Sequence, residues 1–295
     1  MRPSFLLVVV FLVTTPPIAL SDDAWQLTTE GGFTPTWSPD GDHIAFQSNR
    51  SGNLDIWIVP ASGGEATQVT TDPGAEFRPA WSPDGKHIAF ESYRSGNGDI
   101  WFIPVSGGNA TQVTHDPAED GELSWSPDGG QIAFVSGRSG NPDIWTMPAG
   151  GGEAVQVTAL PAWDFGPAWS PDGNQIAFES NPSGNMDIWI TSPSGGKAAQ
   201  VTHDMAQDVG PSWSPDGSMI AFCSDRGDNV HIWLMPATGG APIQLTDDPA
   251  GASEPAWSPD GNQIAFSRAE NIWIINVTVV AVEPATWGAI KAKFR

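Results

Sequence analysis

The pentapeptide Trp37-Ser38-Pro39-Asp40-Gly41 returns five times along the chain. Its tryptophan recurs as Trp81, Trp125, Trp169, Trp213 and Trp257, at a constant interval of 44 residues. A second tryptophan follows 20 residues after the first as Trp57, Trp101, Trp145, Trp189 and Trp233, and in the last copy Trp273 arrives four residues early. These twelve positions hold all but three of the 15 tryptophans. Self-similarity at a fixed period of this length means one supersecondary unit copied six times, each copy burying its apolar faces against its neighbours.

The second copy shows what the unit is. It runs Pro79-Ala-Trp-Ser82, the turn Pro83-Asp84-Gly85, then Ile88-Ala-Phe-Glu-Ser92 and the turn Arg94-Ser-Gly-Asn97. Asp99-Ile-Trp-Phe-Ile-Pro104, Ser106-Gly-Gly108 and Ala110-Thr-Gln-Val-Thr114 complete it. Four short runs rich in β-branched and aromatic residues, split by Gly, Pro, Asn and Asp, read as four antiparallel strands. Within the second strand Ile88 and Phe90 face one way and Ala89 the other, so the sheet is apolar on both faces. One such sheet cannot bury itself, whereas six arranged radially can. The fold class is therefore all-β: a six-bladed β-propeller of four-stranded antiparallel blades.

The ends of the chain follow from the same register. Residues 1–21, with Arg2, the apolar run Phe5 to Val13 and Ala19-Leu20-Ser21, read as a secretory signal peptide, too short to be a membrane span. No cysteine follows the run to take a lipid anchor, and the mature chain is expected to begin near Asp22. Ala24-Trp25-Gln26-Leu27-Thr28 matches the fourth strand of the other units, such as Gln112-Val-Thr114, and the sixth unit lacks that strand. Ring closure is expected: residues 24–28 pair with residues 271–276, leaving no open strand edge. The propeller then spans residues 22–277, and residues 278–295 form a C-terminal tail, read with equal weight as a short basic helix or as disorder.

The formal net charge of −22, from 34 acidic against 12 basic residues, argues against nucleic acid and anionic membrane surfaces as partners. Cys223 is the only cysteine, so no intramolecular disulfide exists. It occupies the strand position held elsewhere by Gln47, Glu91, Val135, Glu179 and Ser267, and reads first as a packing residue.

At the WSPDG, IAF, DIW, GG and QVT motifs, residues 24 to 277 resemble the WD-like repeats of the TolB β-propeller family. That resemblance implies an exported, periplasmic or secreted, six-bladed propeller that binds a protein or peptide partner in the cell envelope. A lone propeller is expected, without the N-terminal α/β domain of TolB itself or the C-terminal hydrolase domain of the related peptidases. No GxSxG elbow, HExxH motif or Cys/His pair at meaningful spacing occurs, and the expectation is a monomeric binding module rather than an enzyme.

Candidate site residues lie in the connections between units, where the copies differ most. Five residues before each WSPDG tryptophan stand Gly32, Glu76, Asp120, Asp164, Asp208 and Ala252, and ring symmetry predicts that the four acids gather at one channel mouth. A loop aspartate equally serves its own backbone as a hydrogen-bond acceptor. With Phe77, Arg78, Trp163, Phe165 and Glu254 these acids make the candidate rim and channel site for a protein or peptide ligand. Exposed rings beside carboxylates suit such a ligand; rings that plug the channel or pad neighbouring blades are the other reading. The alternative function is a metal-dependent propeller enzyme, lactonase- or sugar-lyase-like, with Asp120, Asp164 and Asp208 holding a cation. Calcium is the cofactor that oxygen ligands would then take; the binding module needs none. Arg50, Arg94, Arg138 and Arg226, absent from the fourth unit where Asn181-Pro182 stands, read as structural ion pairs.

Overall fold

The computed structural model describes residues 18–20, 24–159 and 161–279. Most of the leader and the tail beyond residue 279 lie outside the described residues. Two short strands come first, β1 (Ile18–Leu20) and β2 (Trp25–Gln26). Blade one follows as β3 (Phe33–Trp37), β4 (His43–Ser48), β5 (Asp55–Pro60) and β6 (Thr67–Gln68). Blade two is β7 (Glu76–Trp81), β8 (His87–Ser92), β9 (Asp99–Pro104) and β10 (Thr111–Gln112). Blade three is β11 (Asp120–Trp125), β12 (Gln131–Ser136), β13 (Asp143–Pro148) and β14 (Val155–Gln156). Blade four is β15 (Asp164–Trp169), β16 (Ile176–Ser180), β17 (Asp187–Thr191) and β18 (Ala199–Gln200). Blade five is β19 (Asp208–Trp213), β20 (Met219–Ser224), β21 (His231–Pro236) and β22 (Ile243–Gln244). Blade six supplies β23 (Ser253–Trp257), β24 (Gln263–Arg268) and β25 (Asn271–Val279). Among the described residues there is no helix, and none therefore that is long and apolar enough to cross a membrane.

The ring closes as the missing fourth strand requires. Trp25 and Gln26 pair antiparallel with Ile274 and Trp273. The Leu27 amide donates to the Ile272 carbonyl at 2.8 Å, and the Ile272 amide donates to Thr28 Oγ1 at 2.9 Å. The same pattern recurs inside the chain, where the Ile56 amide meets Thr70 Oγ1 and the Ile100 amide meets Thr114 Oγ1. Ile18–Leu20, inside the stretch read as a leader, extends this edge by pairing with Val277–Val279.

Packing is between blades. In every second strand the Ile-Ala-Phe triplet is fully buried, Ile44, Ala45 and Phe46 being the first. Ala45 packs with Ile88 and Phe90 of the next blade, and Ala265 of blade six packs with Ile44 and Phe46 of blade one. Small side chains of one sheet thus receive large ones from its neighbour, at the closure as elsewhere. Inner-strand tryptophans add a bond across the interface: Trp37 Nε1 donates to the Ala256 carbonyl and Trp213 Nε1 to that of Ala168, both at 3.0 Å.

The Ser-Pro-Asp-Gly turn is fixed by its own side chains. The Gly41 amide donates to the Ser38 carbonyl with φ at 78°, a left-handed value that glycine adopts freely. Asp40 Oδ1 accepts from the Ser38 hydroxyl and from the Asp42 amide, which holds its carboxyl below the usual carboxylate range.

Candidate functional site

The four acids at the head of the inner strands do not gather at a channel mouth. Each is buried within its own blade: Glu76, Asp164 and Asp208 are 0% exposed and Asp120 1%. For Glu76, Asp120 and Asp208 the reason is the arginine 18 residues further on, a position that Pro182 takes after Asp164. Arg138 Nη2 donates to both oxygens of Asp120 at 2.8 and 2.7 Å, and its Nε donates to Ser136 Oγ at 2.8 Å. The guanidinium lies over the Phe134 and Trp145 rings, 5.4 and 5.1 Å from their centroids. Arg226 repeats the arrangement with Asp208, Ser224, Phe222 and Trp233, and Arg94 with Glu76, Ser92, Phe90 and Trp101. Cation–π contact and a charge-assisted bond together make a five-part clamp that ties the turn after the second strand to the inner strand. The expected ion pairs are present for Arg94, Arg138 and Arg226, where they consume Glu76, Asp120 and Asp208, whereas Arg50 donates to the Ser48 hydroxyl and the Gly31 carbonyl. Asp120 and Asp208 oxygens facing their own arginines do not form a shared cation site with Asp164. Among the described residues no group of three His, Cys, Asp or Glu side chains could hold a metal ion.

The channel is lined two residues further along the inner strands. Each inner strand breaks register in a bulge, between Phe77 and Ala80 in blade two for example. The residue inside the bulge is left-handed in all six blades: Thr34, Arg78, Glu122, Gly166, Gly210 and Glu254 have φ between 49° and 62°. Four of these are not glycine, and such residues accept a penalty of about 1–2 kcal/mol in this region. Strain of that kind concentrates where a side chain or amide must be aimed. The bulge turns amides toward side chains of the adjacent blade. The Arg78 amide donates to Gln47 Oε1 at 2.8 Å, the Gly210 amide to Glu179 Oε2 at 3.0 Å, and the Glu254 amide to Cys223 Sγ at 3.2 Å. The Thr34 amide closes the ring on Glu254 Oε2 at 2.8 Å. Val135 has no acceptor to offer, and the Gly166 amide is met by Glu122 Oε2 at 2.8 Å.

These residues line an open cavity of about 440 Å³ whose charged lining is Arg78, Glu122, Glu179 and Glu254. Arg78 spans two carboxylates, 3.2 Å from Glu91 Oε2 and 3.0 Å from Glu122 Oε1. Burial pushes the Glu179 carboxyl up to about 7, with the Glu122 charge adding to the rise. Burial raises Glu91 as well and lifts the Cys223 thiol to about 12. A crowded, partly desolvated carboxylate set with one arginine is short of positive charge.

Of the residues singled out in the sequence, Arg78 and Glu254 line this cavity, and Phe77 lies next to it in an edge-on contact with Tyr93, centroids 6.0 Å apart. Trp163 is 56% exposed on the rim, with Tyr93, Met205 and Val230 also exposed on that side of the blades. Phe165 instead packs against the core between blades three and four. Glu122, Glu179 and Glu91 were not anticipated as site residues. The sequence carries a signal for the bulge: Pro35, Pro79, Pro167, Pro211 and Pro255 stand two residues before the inner-strand tryptophan, where a regular central strand would reject proline.

A closed six-bladed propeller with an acid-lined channel is the class of protein that this geometry defines. The profile described as TolB beta propeller domain matches residues 33–164 and 155–289, and the chain belongs to that family. Among solved structures it is similar to TolB from Agrobacterium tumefaciens, at 25% identity and TM-score 0.69, covering 87% of this chain and 97% of that one. It is also similar to TolB from Acinetobacter baumannii, at 20% identity and TM-score 0.64, over 85% of this chain but only 65% of that one. A gluconolactonase from Xanthomonas campestris shares the fold at 13% identity and TM-score 0.68, over 90% and 95% of the two chains. No match was found among the curated proteins.

Proposed function

We propose that this protein is a binding module of the cell envelope whose channel receives a lysine- or arginine-bearing polypeptide segment. The observation that carries this reading is the channel lining, in which Glu122, Glu179 and Glu254 face a single arginine, Arg78. A peptide ammonium or guanidinium entering the cavity would neutralise carboxylates that now crowd one another, while exposed Tyr93, Trp163 and Val230 offer apolar contact around the entrance. The net charge of −22 would steer a basic partner toward the protein. TolB relatives and the leader-like N-terminus support export to the periplasm or beyond. The test is calorimetric titration with a lysine- and arginine-rich peptide, comparing the parent protein with a Glu122→Gln, Glu254→Gln double variant. Both substitutions keep an oxygen to accept the Gly166 and Thr34 amides. Binding that weakens at least about tenfold in the double variant, and falls with salt, supports the reading. Equal affinity for both proteins, or binding of calcium in place of the peptide, overturns it.

A further inference from the structure

Blade four retains the guanidinium clamp without its guanidinium. Asp164 stands where Asp120 and Asp208 stand, Ser180 where Ser136 and Ser224 stand, and Phe178 and Trp189 where the paired rings stand. The arginine is missing, and Pro182 occupies its position. In blades three and five the arginine saturates the carboxylate with two short bonds and takes the serine hydroxyl as acceptor. In blade four no guanidinium reaches Asp164: its two oxygens and the Ser180 hydroxyl are buried without a hydrogen bond of ordinary geometry, the Ser180 and Thr158 hydroxyls standing close by, and Asp164 and Ser180 are 0% exposed. Buried carboxylates in native proteins are paired with strong donors, and one that faces hydroxyls but no cation is a departure that calls for a ligand or a cost.

We infer that blade four carries a binding slot for a guanidinium group, filled by an arginine side chain of a partner polypeptide. Four of the five parts that grip Arg138 and Arg226 are in place: carboxylate, hydroxyl and two ring faces. Their chemistry selects for guanidinium over ammonium. Only a planar group donates along one edge to carboxylate and hydroxyl while its face lies over aromatic rings. The outer acid that the resident arginines also meet, Asp116 or Asp204, is replaced in sequence by Leu160, which leaves Asp164 to balance the incoming charge. The slot is closed over in the free protein. At the surface the Trp163 amide donates to Asn181 Oδ1 at 3.0 Å, beside the exposed Pro182, and entry requires this contact to open. The slot is separate from the channel, and its existence does not rest on the channel's function.

The probe is N-acetyl-arginine amide, titrated against the full chain and followed by the Trp163 and Trp189 indole N–H resonances. The lysine and citrulline analogues are run alongside. The expected result is saturable binding of the arginine probe, at least about tenfold tighter than either analogue, because citrulline keeps the shape but not the charge-assisted bonds. Pro182→Arg should abolish binding, since the chain then supplies its own arginine, whereas Pro182→Ala should preserve it. Asp164→Asn, which leaves the surface of blade four intact, should also abolish it. The Glu122→Gln, Glu254→Gln double variant should bind the probe as the parent does, which separates slot from channel. Absence of binding, equal affinity for arginine and citrulline probes, or undiminished binding by both Pro182→Arg and Asp164→Asn would overturn the assignment.

Discussion

Asparagine placed at Asp120 and at Asp164 is the same chemical change at the same register in adjacent blades, yet the two should have opposite consequences. Asp120 is 1% exposed and receives two bonds of 2.8 and 2.7 Å from a guanidinium whose side chain is 19% exposed. Removing one partner of a buried ion pair costs about 3–5 kcal/mol, because the survivor is left without compensation. Arg138 keeps some access to water, Ser136 and the Phe134 and Trp145 rings, which trims the expected loss to about 2–4 kcal/mol. At about 2–4 °C per kcal/mol for a domain of this size, Asp120→Asn should lower the Tm by roughly 5–15 °C. Asp164 has no arginine, and burial pushes its carboxyl up against the opposing pull of the Ser180 and Thr158 hydroxyls; Asp164→Asn removes a buried acid that faces no cation and should leave the Tm unchanged or raise it. The assay is thermal unfolding at neutral pH followed by tryptophan circular dichroism. A double-mutant cycle with Arg138→Met then isolates the pairwise coupling. Equal losses for the two asparagine variants, or no coupling between positions 120 and 138, would refute the assignment of these acids to clamps.

Two further outcomes follow from named contacts. Leu27 lies in the core cluster that joins blade six to blade one, so Leu27→Ala should cost about 2–4 kcal/mol, and deleting residues 22–28 should abolish the cooperative melt; a truncated chain that melts as the parent does would contradict ring closure. Glu179 titrates at about 7 in the native state against about 4.3 in an unfolded chain, so the folded protein holds the proton longer. Its stabilising contribution is complete below about pH 4.3 and is lost as pH rises through 7. Glu179→Gln should therefore flatten that part of the stability–pH profile, and a profile unchanged by the substitution would count against the assignment.

The repeat made the architecture legible because one unit, read six times in phase, averages out the ambiguity of any single strand. Even the closure was readable, since Gln26-Leu27-Thr28 carries the signature of an outer strand and the last unit lacks one. The site was less so, for a physical reason. Symmetry correctly placed Glu76, Asp120, Asp164 and Asp208 at one register, but register does not say which way a side chain points. The bulge turns the strand after them, and the channel is lined by the residue two places on, where the copies read Thr34, Arg78, Glu122, Gly166, Gly210 and Glu254. The proline that follows in five of the six copies marks the bulge, but the residue at the position varies, since what the copies share there is a backbone angle rather than a side chain. The clamps were half visible: the arginines were recognised as ion-pairing, and the spacing of 18 residues to their acids was the missing link. Blade four, where the acid stays and the arginine goes, stands out only when that link is drawn.

The channel as the seat of a basic polypeptide is tested most directly by photo-crosslinking. A lysine- and arginine-rich peptide bearing a photoreactive group is bound at low salt, irradiated, and the adducts are mapped by mass spectrometry. Adducts on Leu123, Val209 and Val230, which line the cavity beside Arg78 and Glu254, and their loss in the Glu122→Gln, Glu254→Gln variant, are the expected result. Adducts spread over the outer strands, such as Thr67–Gln68 and Ala199–Gln200, and indifferent to the double substitution would contradict it.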